Sequence, residues 1–160
     1  MNGLFTYPSP VNEKAARIVA ICVVAVSVLG LVTGWYWLLA VLAVGFWLRV
    51  LTGPRIDPFA LLAKNLAPKF GKPAFTPGPP KRFAQTIGAV LTTFGAVMWF
   101  GFDSQTIAVA VLAIMAVFAS LEGFLNICVG CKIFAVLMKI GVIPDRICLE
   151  CADISRRHAG

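Results

Sequence analysis

The sequence predicts an all-α integral membrane protein: a bundle of four transmembrane helices in two hairpins, followed by a cysteine-rich amphipathic C-terminal tail. Of the 160 residues, 59% are hydrophobic and 13% are charged, whereas about a quarter of the residues in a soluble domain are charged. The mean hydropathy is +0.88. Basic residues flank the apolar runs instead of forming one basic face. We therefore expect the lipid bilayer, with its anionic headgroups, as the partner and do not expect nucleic acid.

Four apolar segments approach the twenty or so residues that a helix needs to cross about 30 Å of hydrocarbon. They cover residues 15–34, 35–51, 83–101 and 104–124. Tight turns rich in tryptophan and phenylalanine join the first segment to the second and the third to the fourth, and such aromatic residues favour the membrane interface. Residues 1–124 are therefore predicted to form a transmembrane domain of two helical hairpins.

A proline-rich loop, residues 52–82, separates the two hairpins. Its seven prolines rule out a continuous helix. Within the loop, Pro58–Leu66 combines four large apolar residues with Lys64, a pattern that favours a short helix in the headgroup region. We expect the rest of the loop to be extended and similar to polyproline.

The orientation follows from the basic residues. All 14 Lys and Arg lie in the N-terminal segment, the central loop, the C-terminal tail or the adjoining helix ends. Asp103 is the one charged residue at the opposite end of the predicted bundle. Because basic residues accumulate on the cytoplasmic side, we expect a multi-pass protein of the bacterial inner (plasma) membrane with both termini in the cytoplasm.

The tail, residues 125–160, contains two CxxC pairs, Cys128 with Cys131 and Cys148 with Cys151. This spacing fits a zinc site of four thiolates. It also fits a dithiol, in which one thiolate attacks a substrate and the other resolves the mixed disulfide. In a reducing cytoplasm both interpretations are favoured over permanent disulfides, and both stay open, as does iron–sulfur ligation. The cofactor is thus unknown, with zinc as the candidate.

All four cysteines are predicted to converge on one site. The apolar residues between the pairs favour a helix on the membrane surface, and Gly141 with Pro144 ends it. A tail that left the membrane would expose five large apolar side chains to water, at about 25 cal/mol per Å².

Two ionisable residues lie at the edge of the apolar zone, Arg49 near the end of the second segment and Glu122 near the end of the fourth. Asn126 is one helical turn beyond Glu122, so Arg49, Glu122 and Asn126 are predicted to form a polar cluster at the cytoplasmic mouth of the bundle. Glu122 and Cys131 would face opposite sides of a continuous helix, and Gly130 is the residue that would break it. The cluster is either an interhelical ion pair or a substrate- or proton-binding site.

Small residues at every fourth position follow the third segment; they are Ala84, Gly88, Thr92 and Ala96. Such a stripe permits close helix contact. We expect it to pack within the bundle, with self-association as the alternative.

Several of these motifs together resemble one uncharacterised membrane family. They are Asn12, the Phe-Trp-Leu-Arg run that ends at Arg49, the Lys-Arg-Phe-Ala-Gln run that ends at Gln85, Leu121-Glu122, and Cys128-Val-Gly-Cys131-Lys132. The chain is similar over nearly its whole length to the domain of unknown function numbered 4395, which is found in actinobacteria. The resemblance implies thioredoxin-like or rhodanese-like partners, whose genes often neighbour those of the family, and hence thiol or sulfur traffic.

The resulting hypothesis is a cytoplasm-facing membrane protein that handles thiols or sulfur. Cys128 and Cys131 would be the working pair, and Cys148 and Cys151 would resolve or shuttle. One alternative is a structural or adaptor protein stapled by zinc. Another is a transporter of small solutes whose path passes Arg49 and Glu122. The sequence leaves the oligomeric state open.

Overall fold

Helices make up most of the chain that the computed structural model describes, which is residues 11–53, 56–72, 75–76 and 78–143. Six α-helices lie in these residues: α1 Glu13–Thr33, α2 Leu38–Thr52, α3 Pro58–Leu66, α4 Gly78–Phe102, α5 Gln105–Leu125 and α6 Val129–Lys139. A pair of two-residue strands, β1 Val11–Asn12 and β2 Phe75–Thr76, is antiparallel. The predicted helical fold class is confirmed, while the strand pair ties the start of α1 to the loop before α4.

Local signals explain where the first two helices begin and end. Asn12 caps α1 by accepting a hydrogen bond from the Lys14 amide at 3.1 Å, and Gly34 ends it in the left-handed region at φ 72°. Three residues then form a tight turn in which the amide of Leu38 donates to the Trp35 carbonyl. The second helix therefore begins at Leu38, not at residue 35, because the residues before it make the turn.

The loop contains the predicted helix with the predicted bounds, Pro58–Leu66. The Asp57 side chain caps it by accepting from the Ala60 amide at 2.9 Å, and Pro58 occupies the first turn, where no amide is needed. Ala67–Phe70 continues as a 3₁₀ helix, so the expectation of extended chain is wrong for these four residues. Residues 54–55, 73–74 and 77 lie outside the described part.

The helix α4 begins at Gly78, five residues before the predicted start at residue 83. Two prolines, Pro79 and Pro80, lie in its first turn. Proline is tolerated there because the first amides of a helix have no partner within the helix. Pro79 and Pro80 therefore belong to the first turn of α4 and not to the loop, to which the sequence assigned them.

The helices pack as a ring in which α1 lies against α5, α5 against α4, α4 against α2 and α2 against α1. The core between them is apolar, and Leu39, Leu42 and Leu112 are completely buried. The helix α3 packs against α1, and α6 packs against α4. Of the described helices, α1, α4 from Pro80 onward and α5 are long and apolar enough to cross a membrane; α2 is apolar but has 15 residues.

The small residues of α4 face other helices of the same chain. A Cβ on Gly88 would lie 2.6 Å from the Phe46 ring of α2, and one on Gly130 of α6 would lie 2.4 Å from the Ala84 Cβ. Thr92 is completely buried. The stripe therefore serves packing within the bundle.

Candidate functional site

A break between α5 and α6 positions the first cysteine pair. Asn126 adopts φ 57°, a left-handed conformation that asparagine tolerates better than most residues. The amides of Asn126 and Ile127 both donate to the Leu121 carbonyl, which closes the last turn of α5. The break lies at Asn126, whereas the sequence placed it at Gly130, which is inside α6.

The two thiols lie at the first turn of α6. Cys128 is the N-cap residue in an extended conformation, and Cys131 follows three residues later. Their Sγ atoms are 2.8 Å apart, and neither cysteine is in a disulfide. The amides at the start of a helix carry partial positive charge, which stabilises a thiolate at this position.

The two thiols differ in acidity. The hydrogen bond from the Cys131 thiol lowers the pKa of Cys128 to about 7, against the opposing effect of burial. The same contact with the Cys128 thiolate, together with burial, raises the pKa of Cys131 far above its usual value. Near neutral pH, Cys128 is therefore the more acidic thiol and the first of the pair to form a thiolate, while Cys131 holds its proton.

An ion pair between Lys81 of α4 and Glu122 of α5 lies beside the thiols. Lys81 is 4% exposed, so the paired carboxylate compensates a cation that would otherwise be buried alone. The ammonium of Lys81 favours the Cys128 thiolate, and the Glu122 carboxylate opposes it. The ion pair thus places charges of both signs next to the Cys128 thiol.

A cleft of about 80 Å³ connects Cys128 to the interior of the bundle. Side chains from α2, α4, α5 and α6 line it, among them Phe46, Gln85, Met115, Glu122 and Ile133. Most of this lining is apolar. The Cys128 thiol is therefore partly buried beside a mainly apolar cleft, with Glu122 as the acidic group of the lining.

A second buried ion pair joins α2 to the start of α3. Arg49 Nη1 donates to Asp57 Oδ2 at 2.8 Å, and Arg49 Nε donates to Gln85 Oε1 at 2.9 Å. The guanidinium also lies 4.5 Å from the centroid of the Phe46 ring. Asp57 is completely buried. This pair fixes the loop to the bundle through charge, hydrogen bonds and stacking.

The predicted cluster of Arg49, Glu122 and Asn126 is thereby distributed over separate contacts. Arg49 pairs with Asp57 and Glu122 with Lys81, while the exposed Asn126 ends α5. One turn of α4 contacts both pairs, because Lys81, which pairs with Glu122, and Gln85, which accepts a hydrogen bond from Arg49, are four residues apart. The two ion pairs are therefore linked through α4 and do not form a single cluster.

Sequence reasoning did not assign Asp57, Lys81 or Gln85 to the site. Two signals point to them in retrospect. Asp57 precedes Pro58 in the pattern of a helix cap, and residues at i and i+4 share a helix face. Both signals give local structure, and neither identifies a partner on another helix.

The second cysteine pair, Cys148 and Cys151, lies outside the described residues, so the predicted convergence of four cysteines stays a prediction. Among the described residues, no three His, Cys, Asp or Glu are grouped to hold a metal. A zinc ion at Cys128 and Cys131 would therefore take further ligands from elsewhere. Thiolates bound at about 2.3 Å in a tetrahedron stand about 3.8 Å apart, wider than the 2.8 Å between these two sulfurs.

Comparison with known proteins identifies the family. No curated protein and no solved structure shows significant similarity to the chain. A family model, described as a domain of unknown function (DUF4395), matches residues 11–139. The match runs from β1 to the end of α6 and includes Cys128 and Cys131. The chain therefore belongs to the family of the domain of unknown function DUF4395.

Proposed function

We propose that this protein handles thiols or sulfur at the membrane, with Cys128 as the attacking thiolate and Cys131 as the resolving thiol. The observation that carries the proposal is the placement of both sulfurs, 2.8 Å apart, at the N-terminus of α6. A helix start lowers the pKa of a thiol, and a neighbouring thiol is what resolves a mixed disulfide.

The proposed exchange proceeds in two steps. The Cys128 thiolate attacks one sulfur of a substrate disulfide, forms a mixed disulfide and releases the other sulfur as a thiolate. Cys131 then loses its proton and attacks the Cys128 sulfur, which releases the second substrate thiolate. The substrate is reduced by two electrons, and the Cys128–Cys131 pair is oxidised. A dithiol protein, such as a thioredoxin-like partner, would return the pair to the reduced form.

Sulfur transfer uses the same nucleophile without net oxidation. Cys128 would take the terminal sulfur of a persulfide donor, of the rhodanese-like class, and the donor would leave as a thiol. In the exchange, Cys148 and Cys151 are proposed to pass two electrons to the oxidised Cys128–Cys131 pair and to become a disulfide, which the dithiol partner then reduces. In sulfur transfer, one of these two cysteines is proposed to take the terminal sulfur from the Cys128 persulfide, and Cys128 leaves as the thiolate. The ion pair of Lys81 and Glu122 would adjust the charge at Cys128 as the thiolate is consumed.

We propose four membrane spans, with α2 as the fourth. Three contacts support this. Tyr36 contacts Trp99, Phe46 contacts Gly88, and Arg49 contacts Gln85. The helix α2 therefore runs antiparallel to α4 along most of its length and covers the same depth. Its 15 residues correspond to about 22 Å, a deficit that a bilayer accommodates by local thinning. The charge asymmetry supports cytoplasmic termini.

Alkylation of the purified, reduced protein tests the chemistry. We expect the rate at Cys128, followed by mass spectrometry from pH 5 to 10, to rise with a midpoint at about 7. Cys131 should react slowly throughout that range. The variant Cys131→Ala should move the midpoint of Cys128 upward, because the hydrogen bond to the thiolate is lost. Cys22→Ala is the matched control and should leave it unchanged.

Two results would overturn the proposal. One is a common midpoint near 8.5 for both thiols, the value of an unperturbed cysteine. The other is one zinc per chain that survives mild oxidant and protects all four tail cysteines from alkylation, which would identify a structural site. Orientation is tested separately: an impermeant maleimide should label Ser104→Cys and not Thr76→Cys in intact cells, in a background without native cysteines. The reverse pattern would invert the topology.

A further inference from the structure

A groove between α1 and α5, separate from the thiol cleft, combines basic and apolar side chains. It has a volume of about 350 Å³ and lies between the beginning of α1 and the end of α5. It is lined by Lys14, Arg17, Ile18, Ile21, Gly123 and Phe124. At its floor the two helices touch, since a Cβ on Gly123 would lie 3.0 Å from Ile21 Cγ1. None of these residues takes part in the thiol site.

Charge and hydrophobicity are separated along the groove. Lys14 and Arg17 are at the end of α1 where the charged loops lie, and Ile21 lies deeper in the apolar segment. The distance along the helix from Lys14 to Ile21 is about 10 Å. Ile21 is 41% exposed and Phe124 is 64% exposed. The groove therefore presents two cations beside an open apolar surface. This arrangement matches a phospholipid that enters from the membrane interface, with its charged headgroup at the cations and its acyl chain on the apolar surface.

Arg17 is already oriented by the protein. Its Nε donates to the Gly123 carbonyl at 3.2 Å, and this contact holds the guanidinium across the groove. Among the described residues, no carboxylate forms an ion pair with Arg17, and none of the described residues that line the groove is acidic. The terminal nitrogens of a guanidinium form a planar fork that matches a phosphate.

We propose that this groove binds an anionic phospholipid. Its phosphate would contact Lys14 and Arg17, and an acyl chain would cover Ile21 and Phe124. The charge of the groove selects the headgroup, because juxtamembrane basic residues attract anionic lipid. The open apolar rim excludes a free anion as the preferred ligand, since an anion would leave that surface uncovered. The site is independent of the thiol chemistry and would stand if that chemistry proved wrong.

The test compares phosphatidylglycerol with phosphatidylcholine, titrated against the full chain in detergent and counted by native mass spectrometry. We expect one tightly held phosphatidylglycerol and at least tenfold weaker binding of phosphatidylcholine. The double variant Lys14→Gln with Arg17→Gln should weaken phosphatidylglycerol by about thirty-fold, since each basic residue contributes about fivefold. The matched control, Lys64→Gln with Lys69→Gln, removes the same charge from exposed positions and should retain binding.

A second pair of variants guards against misfolding of the first. Phe124→Asp introduces a charge that repels the phosphate, while Phe124→Asn changes the same surface without charge. Phosphatidylglycerol should be lost in the former, whereas the latter should weaken its binding only by the lost apolar contact. Equal binding of both lipids, equal loss in both double variants, or retention in Phe124→Asp would overturn the proposal. Displacement of the lipid by millimolar inorganic phosphate would do so too, because it would identify a site for anions alone.

Discussion

The substitution Gly130→Ala tests whether close packing of α6 against α4 controls the cysteine pair. The new Cβ would lie 2.4 Å from the Cβ of Ala84 and 2.6 Å from its Cα. Carbon atoms in contact are about 3.5–4.0 Å apart, so α6 must retreat by about 1 Å or more. The obstacle includes backbone, which cannot rotate away.

The retreat should have two measurable consequences. Overpacking of this kind destabilises by about 1–3 kcal/mol, and the contact between the Phe83 and Phe134 rings, now 5.6 Å between centroids, would be lost or lengthened. The thiols of Cys128 and Cys131 would move with α6 and become more accessible. We therefore expect a lower midpoint of thermal unfolding in detergent. At high pH, where Cys128 is fully ionised, its alkylation should be several-fold faster.

Gly101→Ala is the matched control. A Cβ at Gly101 meets no atom within 4 Å, so both the unfolding midpoint and the alkylation rate should stay unchanged. If Gly130→Ala behaves like the control, α6 does not pack against α4 as described, and the cleft beside Cys128 is formed in some other way. The double variant Gly130→Ala with Ala84→Gly should recover only part of the loss, because the new methyl group would still meet the backbone of residue 84.

Two further substitutions concern the packing of α2. Asp57→Asn keeps the helix cap but leaves Arg49 without its carboxylate, so the free energy of unfolding should fall by about 3–5 kcal/mol; Asp103→Asn, at an exposed position with φ 52°, is its control and should change little. An unfolding midpoint unaffected by Asp57→Asn would refute a buried Arg49–Asp57 ion pair. Gly88→Ala would place a Cβ 2.6 Å from the Phe46 ring and should destabilise by about 1–3 kcal/mol. Because the obstacle is a side chain, adding Phe46→Leu to Gly88→Ala should restore part of the lost stability. If it does not, the strain in Gly88→Ala does not come from the Phe46 ring.

The sequence by itself determined the helices and the family. Apolar runs ended by Gly34, by the Asp103–Ser104 turn and by prolines specify α1, α2, α4 and α5 to within a few residues. The cap at Asp57 and Pro58 specifies α3. These signals are local, since a chain segment that must satisfy its own amides in an apolar solvent becomes helical whatever its neighbours are. The motifs carried the resemblance that the family match then confirmed.

Only the tertiary structure decided which side chains meet. Arg49 and Glu122 are each paired with a residue that sequence patterns do not connect to them, Asp57 and Lys81, because the partner of a buried charge is set by the packing of other helices. The cysteine pair was recognisable from its spacing. Its position at a helix start depends on the left-handed turn at Asn126, after which α6 packs against α4. The hydrogen bond from the Cys131 thiol to Cys128, which this placement permits, is what separates the acidities of the two thiols.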